Sequence, residues 1–265
     1  QVVAENPAFA CRGWVAVDLT TASPESEIQG VRIDAQLQVQ LNATQTLIAE
    51  VERRHDGHRL AIVDQPIHTT IRGLHFTEQD PPRREDQREV DECHPLAADL
   101  LNPDAMICFI NKVYQRYYDE FSEYFGTTIR AIFTDEPSLL GKHDRPPGWV
   151  VRPGTRDALV HINRFLQYDF TSYLPTLWDD QEPQAEKYRA DYNRAIKARL
   201  EETYYEPISA WCRQHGVQLA GHPDASDDIG ILHYFDLPGQ DLVLRYVEPD
   251  KTTALEGRHS TMGKC

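Results

Sequence analysis

Thr128-Ile129-Arg130-Ala131-Ile132-Phe133-Thr134-Asp135-Glu136-Pro137-Ser138 decides how the rest of the chain reads. An apolar, β-branched run stops at two adjacent carboxylates, and a proline follows at once. Pro137 has a fixed φ and no N–H, so it cannot continue a strand ladder. The pattern predicts a buried strand that opens into a loop at Asp135 and Glu136. Carboxylates at the C-terminal end of a parallel strand are where α/β enzymes hold their chemistry. The plain alternative is that Asp135 caps a following helix and Glu136 is solvated.

The residues before this run support the first reading. Asn102-Pro103-Asp104 opens a helix in the favoured order of cap, first-position proline and first-turn acid. Met106, Phe109, Ile110, Val113 and Tyr117 then recur at helical spacing, with Phe121 one turn on. Gly126 closes the helix before the strand begins. Downstream the order repeats. Helices are predicted at 157–173 and 183–214, Gly216 ends the second, and Val217-Gln-Leu-Ala-Gly-His222 reads as a short strand ending in His222, Asp224, Asp227 and Asp228. Leu242–Val247 running into Glu248-Pro249 reads as a third instance. Helix, glycine, strand and polar loop in succession favour a parallel α/β sheet or barrel.

The first third differs. Residues 1–30 read as loop-rich with one possible strand at Trp14–Val17. Residues 31–76 carry a β pattern: Ala35–Leu41 alternates with period two, and Leu47–Arg54 with Arg59–Val63 flank an Asp56-Gly57 hairpin turn. A further strand is predicted at Thr70–Phe76. Residues 77–95 are a charged loop or linker. The α/β portion is then 77–265.

Composition limits the functional classes. Net charge is −15, with 42 acidic and 27 basic residues, which argues against nucleic acid and anionic membranes as partners. No apolar run approaches the roughly 18 residues a membrane span needs. The chain opens without Met and without a charged-then-apolar leader, so it reads as a fragment whose partners include the remaining domains of a larger parent. Compartment stays open, with a cytoplasmic location favoured over secretion. Cys11, Cys93, Cys108, Cys212 and Cys265 are odd in number and widely spread, which argues against a zinc site or disulfide scaffold. No nucleophile elbow, Walker or dinucleotide glycine pattern is present.

In a parallel sheet the strand ends face one way, so Asp135 and Glu136, His222 and Asp224, and Glu248 would converge. A carboxyl shielded from water there holds its proton more tightly and can act as a general acid. Two carboxyls flanking a glycosidic bond make a glycosidase, at about 5–5.5 Å for retention or about 6.5–9.5 Å for inversion. Trp149 could stack on a sugar ring or simply pack. A rival is a metal-dependent hydrolase with His222, Asp224 and Asp227 or Asp228 as ligands, although the spacing fits no fixed ligand set, so no metal and no cofactor is expected. Another is a carbohydrate-binding or scaffold barrel without turnover.

Asp99-Leu-Leu-Asn-Pro-Asp-Ala105, Phe109-Ile110, Tyr114, Tyr117-Tyr118, Phe125-Gly126 and Ile132-Phe-Thr-Asp-Glu-Pro137 together resemble glycoside hydrolases with a (β/α)8 barrel, of the α-L-rhamnosidase-like and β-galactosidase-like multidomain kind. Gly221-His222, Leu237-Pro-Gly-Gln-Asp241, His259-Ser-Thr261 and Gly263-Lys-Cys265 are similar to the same group, so the resemblance covers residues 60 to 265. It implies an incomplete TIM-type barrel with an inserted or accessory antiparallel β subdomain. It further implies that Glu136, after the fourth strand, is the general acid/base, with Asp135 orienting it or binding a hydroxyl. His222 and Asp241 would line the sugar subsite of a carbohydrate substrate. The second carboxylate would be Glu248 or lie beyond this chain.

Overall fold

A computed structural model describes residues 1–67, 96–140, 148–224 and 228–239. In chain order its strands are β1 (Arg12–Asp18), β2 (Glu27–Ile28), β3 (Val31–Ile33), β4 (Val39–Gln40), β5 (Thr46–Glu52), β6 (Arg59–Pro66), β7 (Ala131–Asp135), β8 (Arg152–Pro153), β9 (Gln218–His222) and β10 (Leu237–Pro238). The helices are α1 (Val2–Glu5), α2 (Pro103–Ile110), α3 (Arg116–Phe121), α4 (Ala158–Leu166), α5 (Ala185–Leu200) and α6 (Glu206–Gln214). The chain divides into two units: Gln1–Ala105 with Leu139–Leu200, and Met106–Ser138 with Glu201–Cys265. Among the described residues no helix is long and apolar enough to cross a membrane.

The first unit is built on a sheet in the order β5-β6-β1-β8, with every pairing antiparallel. The predicted hairpin is present. Gly57 turns it at φ +74, and Arg53 N–H donates to the His58 carbonyl at 2.8 Å. The N-terminal 30 residues do more than loop, because β1 is an inner strand of this sheet. Trp14, Val15 and Val17 are fully buried, and Val15 and Val17 share one cluster with Val31, Ile33, Ala61, Val63 and Val151. The alternation at Ala35–Leu41 does not make one strand. The Asp34 carboxylate accepts N–H bonds from Gln36 and Gln38, both at 2.9 Å, and Leu37 turns at φ +58, leaving only Val39–Gln40 extended. Local Asx bonding outcompetes the period-two pattern.

The second unit holds a parallel sheet in the order β10-β9-β7, against which α6 packs, with Ile208, Ser209 and Cys212 of that helix fully buried. Gly216 ends the helical region at φ +70, as expected. The predicted α2 cap forms, with the Asn102 side chain accepting from Asp104 N–H at 3.0 Å and Ala105 N–H at 3.3 Å. The helix face then departs from the expected stripe. A π turn at Asn111–Gln115 adds a residue to the turn and rotates α3 relative to α2. Tyr114 is buried, whereas Tyr117 and Phe121 are 59% and 44% exposed.

The described residues combine helices with strands in an α/β arrangement but close no barrel. The expected continuation after β7 goes elsewhere. Arg152 and Pro153 pair with Trp14 and Gly13 of β1, and Gly154 packs so closely on Trp14 that a Cβ would stand 2.6 Å from the indole. Residues 139–200, with α4 and α5, therefore belong to the first unit. The strands predicted at Thr70–Phe76 and Leu242–Val247 and the linker at 77–95 lie outside the described residues.

Candidate active site

Two strand ends of the second unit form the site. Residues on β7 alternate, so Ile132 and Thr134 share one face and Phe133 and Asp135 the other. Thr134 is buried, and its hydroxyl lies 2.6 Å from the phenol oxygen of Tyr204, itself buried on a π turn at Glu201–Tyr205. Burial pushes the Tyr204 phenol above its ordinary range, so it stays a neutral hydroxyl. This contact anchors β7 one residue before the carboxylates.

β9 approaches β7 in parallel register, Thr134 beside Gly221 and Asp135 beside His222. Only glycine allows this. Gly221 holds φ +135, and a Cβ there would lie 2.0 Å from the Thr134 carbonyl oxygen. The register brings His222 Nε2 to 3.4 Å from Asp135 Oδ1. The His222 side chain is 6% exposed, whereas that of Asp135 opens to solvent at 44%. His222 Nδ1 faces the Pro223 carbonyl at 3.4 Å.

Glu136 leaves the strand at φ +39, the left-handed region, ahead of Pro137. A non-glycine residue pays about 1–2 kcal/mol for that conformation. Strand alternation would send Glu136 to the face opposite Asp135, and the turn instead places one ligand atom from each of Asp135, Glu136 and His222 within 4.8 Å of one another. Residues 136–140 form no helix, which removes the helix-cap reading of Asp135.

The other candidates fall out differently. Asp224 is exposed and stands outside this cluster, so His222 joins Asp135 and Glu136 rather than Asp224. Trp149 belongs to the first unit, where its ring lies against Gly30 and the Val31–Ile33 cluster, which is the packing alternative. Asp241, Glu248 and Asp227 lie outside the described residues. Sequence reading missed Tyr204 and the need for glycine at 221. Thr203-Tyr204-Tyr205 sits inside a long helical pattern, and nothing in it announces the π turn.

Chemically, the cluster offers two carboxylates and one imidazole at hydrogen-bonding range of a single small volume. That set can bind hydroxyls, move a proton, or hold a divalent cation through nitrogen and oxygen donors.

Compared with protein-family models and with curated proteins, the chain gives no match. Among solved structures it is similar to a rhamnosidase from Novosphingobium sp. PP1Y, with a TM-score of 0.47 and 17% identity. That alignment covers 68% of this chain and 16% of the rhamnosidase chain.

Proposed function

We propose that the chain carries part of a glycoside hydrolase site, with Glu136 as the general acid/base that protonates the leaving glycosidic oxygen. The observation that carries this reading is the convergence of Asp135, Glu136 and His222 at the ends of two parallel, adjacent strands, with Glu136 turned out of the ladder to join them. Asp135 binds a sugar hydroxyl or orients Glu136, and buried His222 supports Asp135. The substrate is a carbohydrate. A second carboxylate belongs to such chemistry, and Glu248 is its candidate in this sequence. The test is turnover of a panel of aryl glycosides by the full parent protein. Loss of turnover in Glu136→Gln with sugar binding retained supports the assignment. Unchanged turnover in that variant removes it, and sugar binding without any turnover favours a recognition domain.

A second reading rests on the same three donors. One imidazole nitrogen and two carboxylate oxygens within 4.8 Å suit a divalent cation, which would polarise a substrate oxygen. Calorimetric titration of the EDTA-treated protein with Zn2+, Mn2+ and Ca2+ separates the readings. Binding that His222→Ala abolishes favours the cation, and no binding together with EDTA-insensitive turnover favours proton transfer alone.

A further inference from the structure

The two faces of the β10-β9-β7 sheet differ in chemistry. One carries Ile132, Thr134, Leu219 and Gly221, with Leu219 fully buried and Thr134 at 6% exposure. On the other, register sets Phe133 beside Ala220 and Ala220 beside Leu237, forming a row across all three strands. Phe133 is 60% exposed and Leu237 46% exposed, although both sit in strands of a parallel sheet, where apolar side chains are normally covered. The next row on the same face is Asp135 and His222. Alternate positions on a strand are roughly 6–7 Å apart, so the apolar row ends where the polar cluster begins. The Phe133 and His222 rings meet edge to face, with centroids 6.0 Å apart and planes at 71°. Phe133 is thus a floor and His222 a wall, with the carboxylates along the same edge. Ala220 is small and leaves the floor open.

A ligand matching this corner has one flat apolar face and a rim of hydroxyls. We infer that Phe133, flanked by Ala220 and Leu237, is the stacking platform for a pyranose ring, whose C–H face rests on the phenyl while its hydroxyls meet Asp135, Glu136 and His222. This rests on the carbohydrate reading of the site and adds the residue that recognises the ring. Aromatic faces gain by such contact beyond the area they bury, and the carboxylates and imidazole supply hydrogen-bond partners for the rim.

The test uses the full chain with Phe133→Ala and Phe133→Tyr, a pair that removes and restores the ring. With an aryl glycoside that the parent turns over, competition by the matching methyl glycoside, which has no aromatic aglycone to stack, reads the sugar's affinity alone. The expected result is an inhibition constant about tenfold weaker in Phe133→Ala, equivalent to roughly 1.4 kcal/mol, with recovery in Phe133→Tyr. An unchanged inhibition constant with a lowered Tm overturns the proposal, because Phe133 then serves only packing. If no aryl glycoside is turned over, the hydrolase reading falls by itself, and calorimetry of Glu136→Gln with methyl pyranosides decides the platform. Binding that the added Phe133→Ala removes supports it. Binding that survives, or no binding at all, overturns it.

Discussion

Gly221 and Thr134 approach so closely across the β7–β9 pair that a single added carbon on Gly221 would stand 2.0 Å from the Thr134 carbonyl oxygen. The Asp135–His222 register lies one residue beyond this contact, so the site depends on it. Gly221→Ala adds overpacking of about 1–3 kcal/mol to the strain of a non-glycine residue at φ +135, itself about 1–3 kcal/mol. The expected outcome is a loss of roughly 2–6 kcal/mol in urea denaturation, or failure of the second unit to fold. A stability change below about 0.5 kcal/mol, the range of a surface substitution, would contradict the close approach.

The Thr134–Tyr204 hydroxyl pair makes a second prediction about the same strand. Removing either partner leaves a buried hydroxyl that water cannot reach, at a cost of about 1–3 kcal/mol. Removing both restores consistency. The double variant Tyr204→Phe with Thr134→Val is expected to cost less than the sum of the two single variants, with a coupling of about 1 kcal/mol or more. Denaturation of the four proteins measures the cycle, and strictly additive effects would mean that the two hydroxyls do not interact.

Local signals carried much of this into the sequence. The Asn102 cap, the Asp56-Gly57 turn and the abrupt end of the run at Asp135-Glu136-Pro137 each depend on a few neighbouring residues, and each forms. What the sequence hid was non-local. The fate of residues 139–200 is decided by Arg152–Pro153 pairing with β1, near the other end of the first unit's sequence, which no periodicity announces. The π turn at Asn111–Gln115 moved Tyr117 out of the buried stripe that a constant 3.6-residue period assigns to it. In the site, His222 was legible as a strand end. Its convergence with Asp135 and Glu136 was expected from parallel strand ends, but the register that sets Asp135 beside His222 was not legible, because Gly221 rather than charge sets it. Phe133 read as core with Ile132, since an apolar run does not say which face is covered.

Glu182 ties the hairpin tip to the segment before α5. Its side chain is fully buried and accepts from Arg54 N–H at 2.8 Å, His55 N–H at 3.4 Å and the His55 ring at 3.1 Å. Glu182→Ala removes a buried acceptor from donors that are themselves partly exposed and is expected to cost about 1.5–3 kcal/mol, above the range of a neutral hydrogen bond because the acceptor is charged. Glu182→Gln keeps one oxygen and should cost less. Hydrogen exchange locates the effect: amides at Arg54 and His55 should lose protection first, and uniform loss across the first unit would show that the contact is not local.

Asp99 and Asp64 share the neighbourhood of one buried guanidinium, Arg12, which bonds Asp64 at 2.6 Å. Burial pushes Asp64 up to about 6 against the pull of Arg12, and pushes Asp99 up to about 7 against its bonds from Thr155 and Leu101. Arg12 neutralises Asp64, so Asp99 is the carboxyl that retains a proton near neutrality. A carboxyl whose pKa is raised by folding stabilises the fold fully below its unfolded value of about 3.9 and loses that contribution as pH rises through the folded value. Stability is therefore expected to fall between about pH 5 and about pH 8 by at most about 3 kcal/mol, part of the about 4 kcal/mol at stake for a carboxyl that folding raises from about 3.9 to about 7. Carboxylates such as Asp169, held below the usual range by Thr171, act in the opposite sense and only in acid. Asn at position 99 mimics the protonated acid and keeps an oxygen for the Leu101 N–H. Asp99→Asn should flatten the slope and leave the variant more stable than the parent at about pH 8. Urea midpoints at these two pH values for the two proteins decide it, and a parent slope that persists unchanged in Asp99→Asn would assign the proton elsewhere.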